Sequence, residues 1–365
     1  MNFGFTDEQE MLRQSARRFL EAECPTTFVR RMMADATADA PALWAKMVEL
    51  GWTGLLVPED HGGLGGSFID LIVVLEEMGR ALVPGPFFAT VLGGTPALVA
   101  ANRGDLLAPL ARGELRMTLA VAEADGRFDP AAVSLPARAD GRGLVLDGEK
   151  HFVLDAHVAD RLVVAARDPS GIVLCLVPRD APGVTVTPLR TVDMTRRICR
   201  VALDHVRVER DTVLGDEAVL RRTLQVATAG LVAEMVGTAQ MALDRTVAYV
   251  KERAQFGRAV GSFQAVKHKC VDMLTAVENA RSLAYYAAWA VAEDTPEAAR
   301  ATAMAKAYAS DMVKQVTSEA IQLHGGIGFT WEHDMHLYHR RALAQEPAFG
   351  SARVHRAVVA QALAS

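Results

Sequence analysis

Between Tyr249 and Lys269 the chain reads YVKERAQFGRAVGSFQAVKHK, a helical run that breaks at Phe256-Gly257 and Gly261-Ser262 and resumes at Phe263. Lys251, Arg253 and Arg258 flank or lie in the break, and Lys267 follows just beyond it. A planar guanidinium beside the N–H groups of a new helix start suits a phosphate or pyrophosphate. Ser262 is placed to cap that helix. On this stretch alone a solvated basic hairpin remains the alternative. Other chemistry-bearing patterns are sparse. Cys24, Cys175, Cys199 and Cys270 share no spacing that would make a zinc site or a redox dithiol, so no metal is expected. Gly62-Gly63-Leu64-Gly65-Gly66 follows no clear strand and is no dinucleotide fingerprint; it is expected to be a structural loop near a ligand cavity.

The bulk composition bounds what can surround that turn. With 365 residues, half of them apolar, two or three units with a large core are expected. A net charge of −5, from 39 basic and 44 acidic residues, argues against nucleic acid as a partner. The N-terminal stretch lacks the pattern of a signal peptide, and no uninterrupted apolar run is long enough to span a bilayer, so no membrane partner is expected. The cysteines then read as reduced, mostly buried thiols of a cytoplasmic protein.

Thr6-Asp7-Glu8-Gln9 caps and opens a helix whose apolar face carries Met11, Leu12, Ala16, Phe19 and Leu20. Helical periodicity returns at 40–50 and 68–82, which gives an N-terminal helical domain over 1–115. From Arg116 the texture becomes short apolar runs separated by Asp140-Gly141, Asp147-Gly148, Ser170-Gly171 and Pro182-Gly183. That is the mark of an antiparallel barrel or sandwich, assigned to 116–215. Long helical runs at 220–250, 263–293, 295–323 and 351–363 imply a C-terminal bundle over 216–365. The fold class is therefore mainly α with a central β unit.

This order of units, together with Ala233-Glu234-Met235-Val236-Gly237-Thr238-Ala239-Gln240, Arg253-Ala254-Gln255-Phe256-Gly257, Phe263-Gln264-Ala265 and Gln322-Leu323-His324-Gly325-Gly326-Ile327-Gly328-Phe329, resembles the acyl-CoA dehydrogenase family over essentially the whole chain. The resemblance implies an FAD flavoprotein acting on an acyl-CoA thioester, with electron-transfer flavoprotein as acceptor. It implies that the cofactor lies across a contact between bundles. Carried over by position, Arg253, Phe256, Gln264, Gln322, Gly325 and Gly326 meet the diphosphate and adenosine side of FAD, often that of the neighbouring subunit. Val121 and Ala122 of the β unit belong to the same cofactor site. The residue chemistry agrees, since Arg253 offers charge-assisted donors, the glutamines offer neutral donors and acceptors, and the glycines let backbone approach.

Several positions depart from the family pattern. In many members a glutamate in a Y-E-G-T motif removes the α-proton; counted from Gly325, that stretch is Ala348-Phe349-Gly350-Ser351, and Phe349 cannot take a proton. Other members place the base upstream of V-G-x-A-Q, where this chain has Val226-Ala227-Thr228. Glu234 and Glu346 remain as substitutes. Glu234 shares a helix strip with Gly230, Gly237, Thr238 and Met241, which would let a ligand or another helix lie close. A structural glutamate is the competing reading. The T-E-P-G-x-G-S-D segment is Ala122-Glu123-Ala124-Asp125-Gly126-Arg127-Phe128-Asp129 here, and W-I-T is Phe152-Val153-Leu154, so hydroxyl donors are lost from the flavin side. Each such loss at a buried polar ligand costs about 1–3 kcal/mol.

Those losses, with the F-G-S ending and Trp331-Glu332-His333-Asp334, resemble the small, base-lacking subunits of heteromeric acyl-CoA dehydrogenases, including those acting on dicarboxylic or steroid thioesters. The expected function is α,β-dehydrogenation of an acyl-CoA as the non-base subunit of such a heteromer. The expected assembly is a homo-dimer or homo-tetramer, or a hetero-tetramer with a larger subunit. Three alternatives stay open: a self-sufficient homo-oligomer with Glu234 as base, a flavin-dependent monooxygenase on the same fold, and a flavin-free scaffold subunit.

Overall fold

The computed structural model describes residues 5–141 and 143–364. Along the chain run α1 (Asp7–Glu23), α2 (Thr26–Ala34), α3 (Pro41–Glu49), α4 (Phe68–Ala81), α5 (Thr95–Ala100) and α6 (Gly104–Ala111). The strands follow: β1 (Met117–Ala120), β2 (Ala137–Asp140), β3 (Gly143–Leu154), β4 (Arg161–Asp168), β5 (Gly171–Pro178), β6 (Val184–Pro188), β7 (Ile198–Glu209) and β8 (Val213–Gly215). After α7 (Glu217–Glu252) come the short pair β9 (Ala254–Gln255) and β10 (Arg258–Ala259), then α8 (Gln264–Ala292), α9 (Ala298–His324), α10 (Met335–Gln345) and α11 (Ala352–Ala364). The chain forms two compact units, one of Met1–Arg30, Phe68–Val83 and Thr228–Ser365, the other of Arg31–Ser67 and Pro84–Ala227.

In the helical unit α1 opens with a full capping box, in which Thr6 Oγ1 accepts from the Gln9 N–H and Gln9 Oε1 from the Thr6 N–H, each at 3.2 Å. Its Arg17 grips Glu77 of α4 with two guanidinium nitrogens, at 2.9 and 2.6 Å. Helices α4 and α7 cross at glycines. A Cβ on Gly79 would lie 2.1 Å from the Glu234 carbonyl oxygen, and one on Gly237 would lie 1.9 Å from that of Glu76. Small residues on this strip of α7 therefore admit a neighbouring helix. Helix α10 lies outside the helices expected from periodicity. The face it buries carries His336, Arg341 and Gln345 beside Met335, Leu337 and Tyr338, so its apolar stripe is diluted. Helix α7 has the length and hydropathy of a membrane span, contrary to the sequence expectation, but 89% of its most apolar window is buried inside the protein.

The β unit is a sandwich of two four-stranded sheets, ordered β1-β4-β5-β8 and β2-β3-β7-β6. Pairing is antiparallel except for β1, which lies parallel to β4 with Met117 opposite Arg161. The expectation of a purely antiparallel sheet is corrected there: a long crossover separates the two strands in sequence, as parallel pairing needs. Alternate side chains of both sheets, among them Leu144, Leu146, Val164, Val177, Val201 and Val206, fill one dry core. The glycine loop at 62–66 is structural: the N–H groups of Leu64, Gly65 and Gly66 bond to the carbonyls of Gly54, Val57 and Leu55, and a Cβ on Gly63 would lie 2.0 Å from the Val57 oxygen.

Candidate functional site

Helix α7 ends at Glu252, and β9 turns into β10 with Gln255 opposite Arg258. Phe256 and Gly257 form the tip with φ of 54° and 77°. Two successive left-handed residues make the tight hairpin turn whose twist matches the strands; Gly257 adopts it freely, while Phe256 pays roughly 1–2 kcal/mol. Phe256 nevertheless points outward, 90% exposed. The Val260 N–H donates to the Arg253 carbonyl at 2.7 Å and folds the hairpin back on the helix end. Arg258 stacks 4.0 Å over the Phe263 ring. Phe263, not Ser262, is the residue that precedes α8, and no side chain caps that helix. Ser262 belongs to the short 3-10 turn before it, one residue too early to reach the first free N–H groups. Arg253 and Gln264 are exposed, and among the described residues nothing pairs with their side chains.

A second set of predicted residues lies at the end of α9. Tyr249 of α7 stacks on His324 at 4.5 Å, and its hydroxyl donates to the His324 carbonyl at 3.3 Å. The ends of α7 and α9 are thus pinned together, one carrying Arg253 and the other Gln322, Gly325 and Gly326. Gly325 has φ 65° and ψ −144°, a conformation essentially reserved for glycine, so its identity is demanded by the backbone. A Cβ on Gly325 or Gly326 would meet nothing within 4 Å, so this backbone faces open space. Burial lowers the pKa values of His324 and His333, which leaves the arginines as the dependable cations here. Phe329 and Trp331 are exposed just beyond. An unpaired guanidinium, two unpaired amides and exposed glycine backbone form a donor set that fits a diphosphate-bearing ligand, and the exposed aromatics suit flat rings.

In the β unit Val121 and Ala122 are buried, so any contact they make with a ligand is through the backbone. Their carbonyls are already used: Lys150 Nζ donates to Val121 O at 2.9 Å and the His151 N–H to Ala122 O at 2.8 Å. Glu123 anchors the same segment. It accepts from Lys150 Nζ at 2.8 Å, from the N–H groups of Ser134 and Leu135 at 2.8 Å each, and from the Ser134 hydroxyl. Burial works to raise the Glu123 pKa, but these donors outweigh it and hold the carboxyl at about 2. Phe152 projects from β3 with φ 57°, partly exposed and over Gly126, whose missing Cβ would touch the ring at 3.4 Å. The Leu154 carbonyl accepts from Thr118 Oγ1 at 2.5 Å.

The remaining candidates concern proton removal. Glu234 is fully buried, and its backbone is pressed against Gly79 of α4. Glu346 turns its carboxylate toward Lys314, 3.7 Å away. Phe349 occupies a turn in the left-handed region, with φ 55°, and its carbonyl accepts from His355 Nε2 at 3.0 Å. Two lysines that sequence reasoning passed over hold these segments, Lys150 under Glu123 and Lys306 under the Phe349 turn. Both are fully buried. The available signal was a lone lysine in each case, amid small residues in Ala303-Met304-Ala305-Lys306-Ala307 and within the β3 apolar alternation for Lys150.

Comparison with known proteins places these features. The models of the acyl-CoA dehydrogenase N-terminal, middle and C-terminal domains match residues 6–114, 118–206 and 217–364. The acyl-CoA dehydrogenase IpdE2 of Mycolicibacterium smegmatis is 35% identical over 95% of this chain and 96% of its own. The solved ChsE4-ChsE5 complex of Mycobacterium tuberculosis superposes with a TM-score of 0.93 at 27% identity, covering 100% of this chain and 99% of the other. Butyryl-CoA dehydrogenase of Megasphaera elsdenii gives a TM-score of 0.91 at 28% identity over the whole of both chains.

Proposed function

Because the chain belongs to the acyl-CoA dehydrogenase family, FAD-binding oxidoreductases acting on CH–CH bonds, we propose that it works as the subunit that lacks the base in a heteromeric enzyme. The observation that carries this reading is Phe349. The turn that would present a carboxylate is built and held, with His355 bonded to its carbonyl, but it presents a phenyl ring. In this reading Glu234 is a structural glutamate at the crossing of α4 and α7, where its backbone lies against Gly79. One similar structure is itself a complex of two named chains, which supports a heteromer.

Bound FAD supplies the hydride acceptor of the reaction. Arg253 would hold the diphosphate of FAD, with Gln264 and Gln322 completing the donor set and the Gly325-Gly326 backbone allowing the ligand to approach. Phe256 would meet the adenosine side. In the β unit the backbone of Val121 and Ala122, fixed by Lys150 and Glu123, would hold a flavin ring. A carboxylate of the larger subunit would take the α-proton of the acyl-CoA, and electron-transfer flavoprotein would be the electron acceptor. Co-expression with a larger acyl-CoA dehydrogenase homologue that carries a carboxylate where this chain has Phe349 tests the assembly. Native mass and flavin content should show a two-chain complex with flavin retained, against weak flavin retention by the lone chain. A lone chain that purifies as a fully flavinated homo-oligomer, with the homologue not binding, overturns the proposal.

A further inference from the structure

Lys306 lies in the first third of α9 with none of its surface exposed, and its ammonium has no carboxylate within ion-pairing distance among the described residues. Its Nζ instead donates to Ser310 Oγ at 2.9 Å and to the carbonyls of Gln345 at 3.3 Å, Glu346 at 2.8 Å and Gly350 at 2.9 Å. Three of these four acceptors belong to one turn. That turn contains two successive left-handed residues, Phe349 at φ 55° and Gly350 at φ 104°, a conformation that persists only when its surroundings hold it. We propose that Lys306 is a positioning residue whose ammonium latches the turn 345–350, and so fixes where the side chain at 349 is presented. The consequence for the reaction rests on the reading of 349 as the position of the family's base; the latch itself does not.

The proton count makes the latch specific. An ammonium donates three hydrogen bonds and a neutral amine two, so loss of one proton leaves a buried carbonyl without its donor. The groups whose fields reach Lys306 are Glu346, which follows α10, Lys314 on α9 itself and His355 on α11. Lys314 and Glu346 answer each other at the surface, and Arg356 of α11 pairs with Asp311. Burial, with the Lys306 charge as a second cause, lowers His355 to about 4, so His355 is a neutral donor to Phe349 at working pH. Burial also pulls Lys306 from 10.5 down to about 7. Between those two values the unfolded chain holds a proton that the folded one has released. Raising pH through that window therefore stabilises the whole fold while it loosens the turn.

Hydrogen exchange of the full chain between pH 6 and pH 9, corrected for intrinsic rates, reads both signs. Protection of the amides in 345–350 should fall about 2- to 10-fold as pH rises, the equivalent of one hydrogen bond. Resistance to urea should rise over the same range. In Lys306→Met turn protection should be low and independent of pH, whereas Ser310→Ala, which keeps the ammonium, should retain the slope. Turn protection in Lys306→Met equal to that of wild type overturns the latch. If the turn responds as expected but acyl-CoA oxidation by the assembled Lys306→Met enzyme is unaltered, the latch stands and the placement of residue 349 beside the substrate falls.

Discussion

At the scale of single residues, Arg253 is the sharpest case, because a guanidinium with no partner among the described residues has nothing to lose structurally. Arg253→Ala should therefore leave the unfolding midpoint of the flavin-free chain unchanged. It should cost about 1.5–3 kcal/mol of flavin affinity, the worth of charge-assisted hydrogen bonds, or about 10- to 100-fold in Kd by fluorescence titration. Equal loss of stability would mean that the residue is structural. Arg253, Gln264, Gln322 and the two glycines could be singled out in the sequence because their types and order are distinctive and they stand at or beside helix ends. Lys150 and Lys306 were not, since what makes a lysine important here is its burial against distant carbonyls. Ser262 was misplaced by a single residue, because a 3-10 turn intervenes before α8 and only the backbone path shows it.

At the scale of elements, the crossing of α4 and α7 depends on glycines that bring two backbones together. Gly237→Ala would drive a Cβ to 1.9 Å from the Glu76 oxygen and 2.9 Å from the Arg80 nitrogen. Neither backbone can give way as a side-chain tip would, so a loss of about 3 kcal/mol is expected, checked by urea unfolding. The anchor of the β1–β2 segment carries a pH signature. The Glu123 carboxyl is held at about 2 in the folded protein against 4.5 ordinarily, so its stabilising effect is complete above pH 4.5 and is lost as pH falls through 2. Acid unfolding followed by near-ultraviolet circular dichroism should show Glu123→Gln less stable than wild type at pH 6, with the difference closing toward pH 2. A constant difference would assign the loss to packing. The long helices and the strand runs were legible because burial imposes their periods. Helix α10 escaped because Arg341 and Gln345 share its buried face, and the parallel pairing of β1 with β4 escaped because strand order is a long-range property.

At the scale of the whole molecule, three domain models and the helix, strand and helix order were expected from the sequence, and the matches over 6–114, 118–206 and 217–364 establish the family. The helical unit exposes large apolar side chains near its donor set, with Phe256 at 90% and Phe329 at 77%. Phe349 stands where a base would, and the donor set around Arg253 lies in the same chain, so the proposed function is a division of labour between subunits. The most direct measurement is anaerobic acyl-CoA oxidation with an artificial electron acceptor, by the flavin-loaded lone chain and by its complex with the larger homologue. The complex should turn over and the lone chain should not. Enoyl-CoA formed by the lone chain at the rate of the complex would contradict the claim.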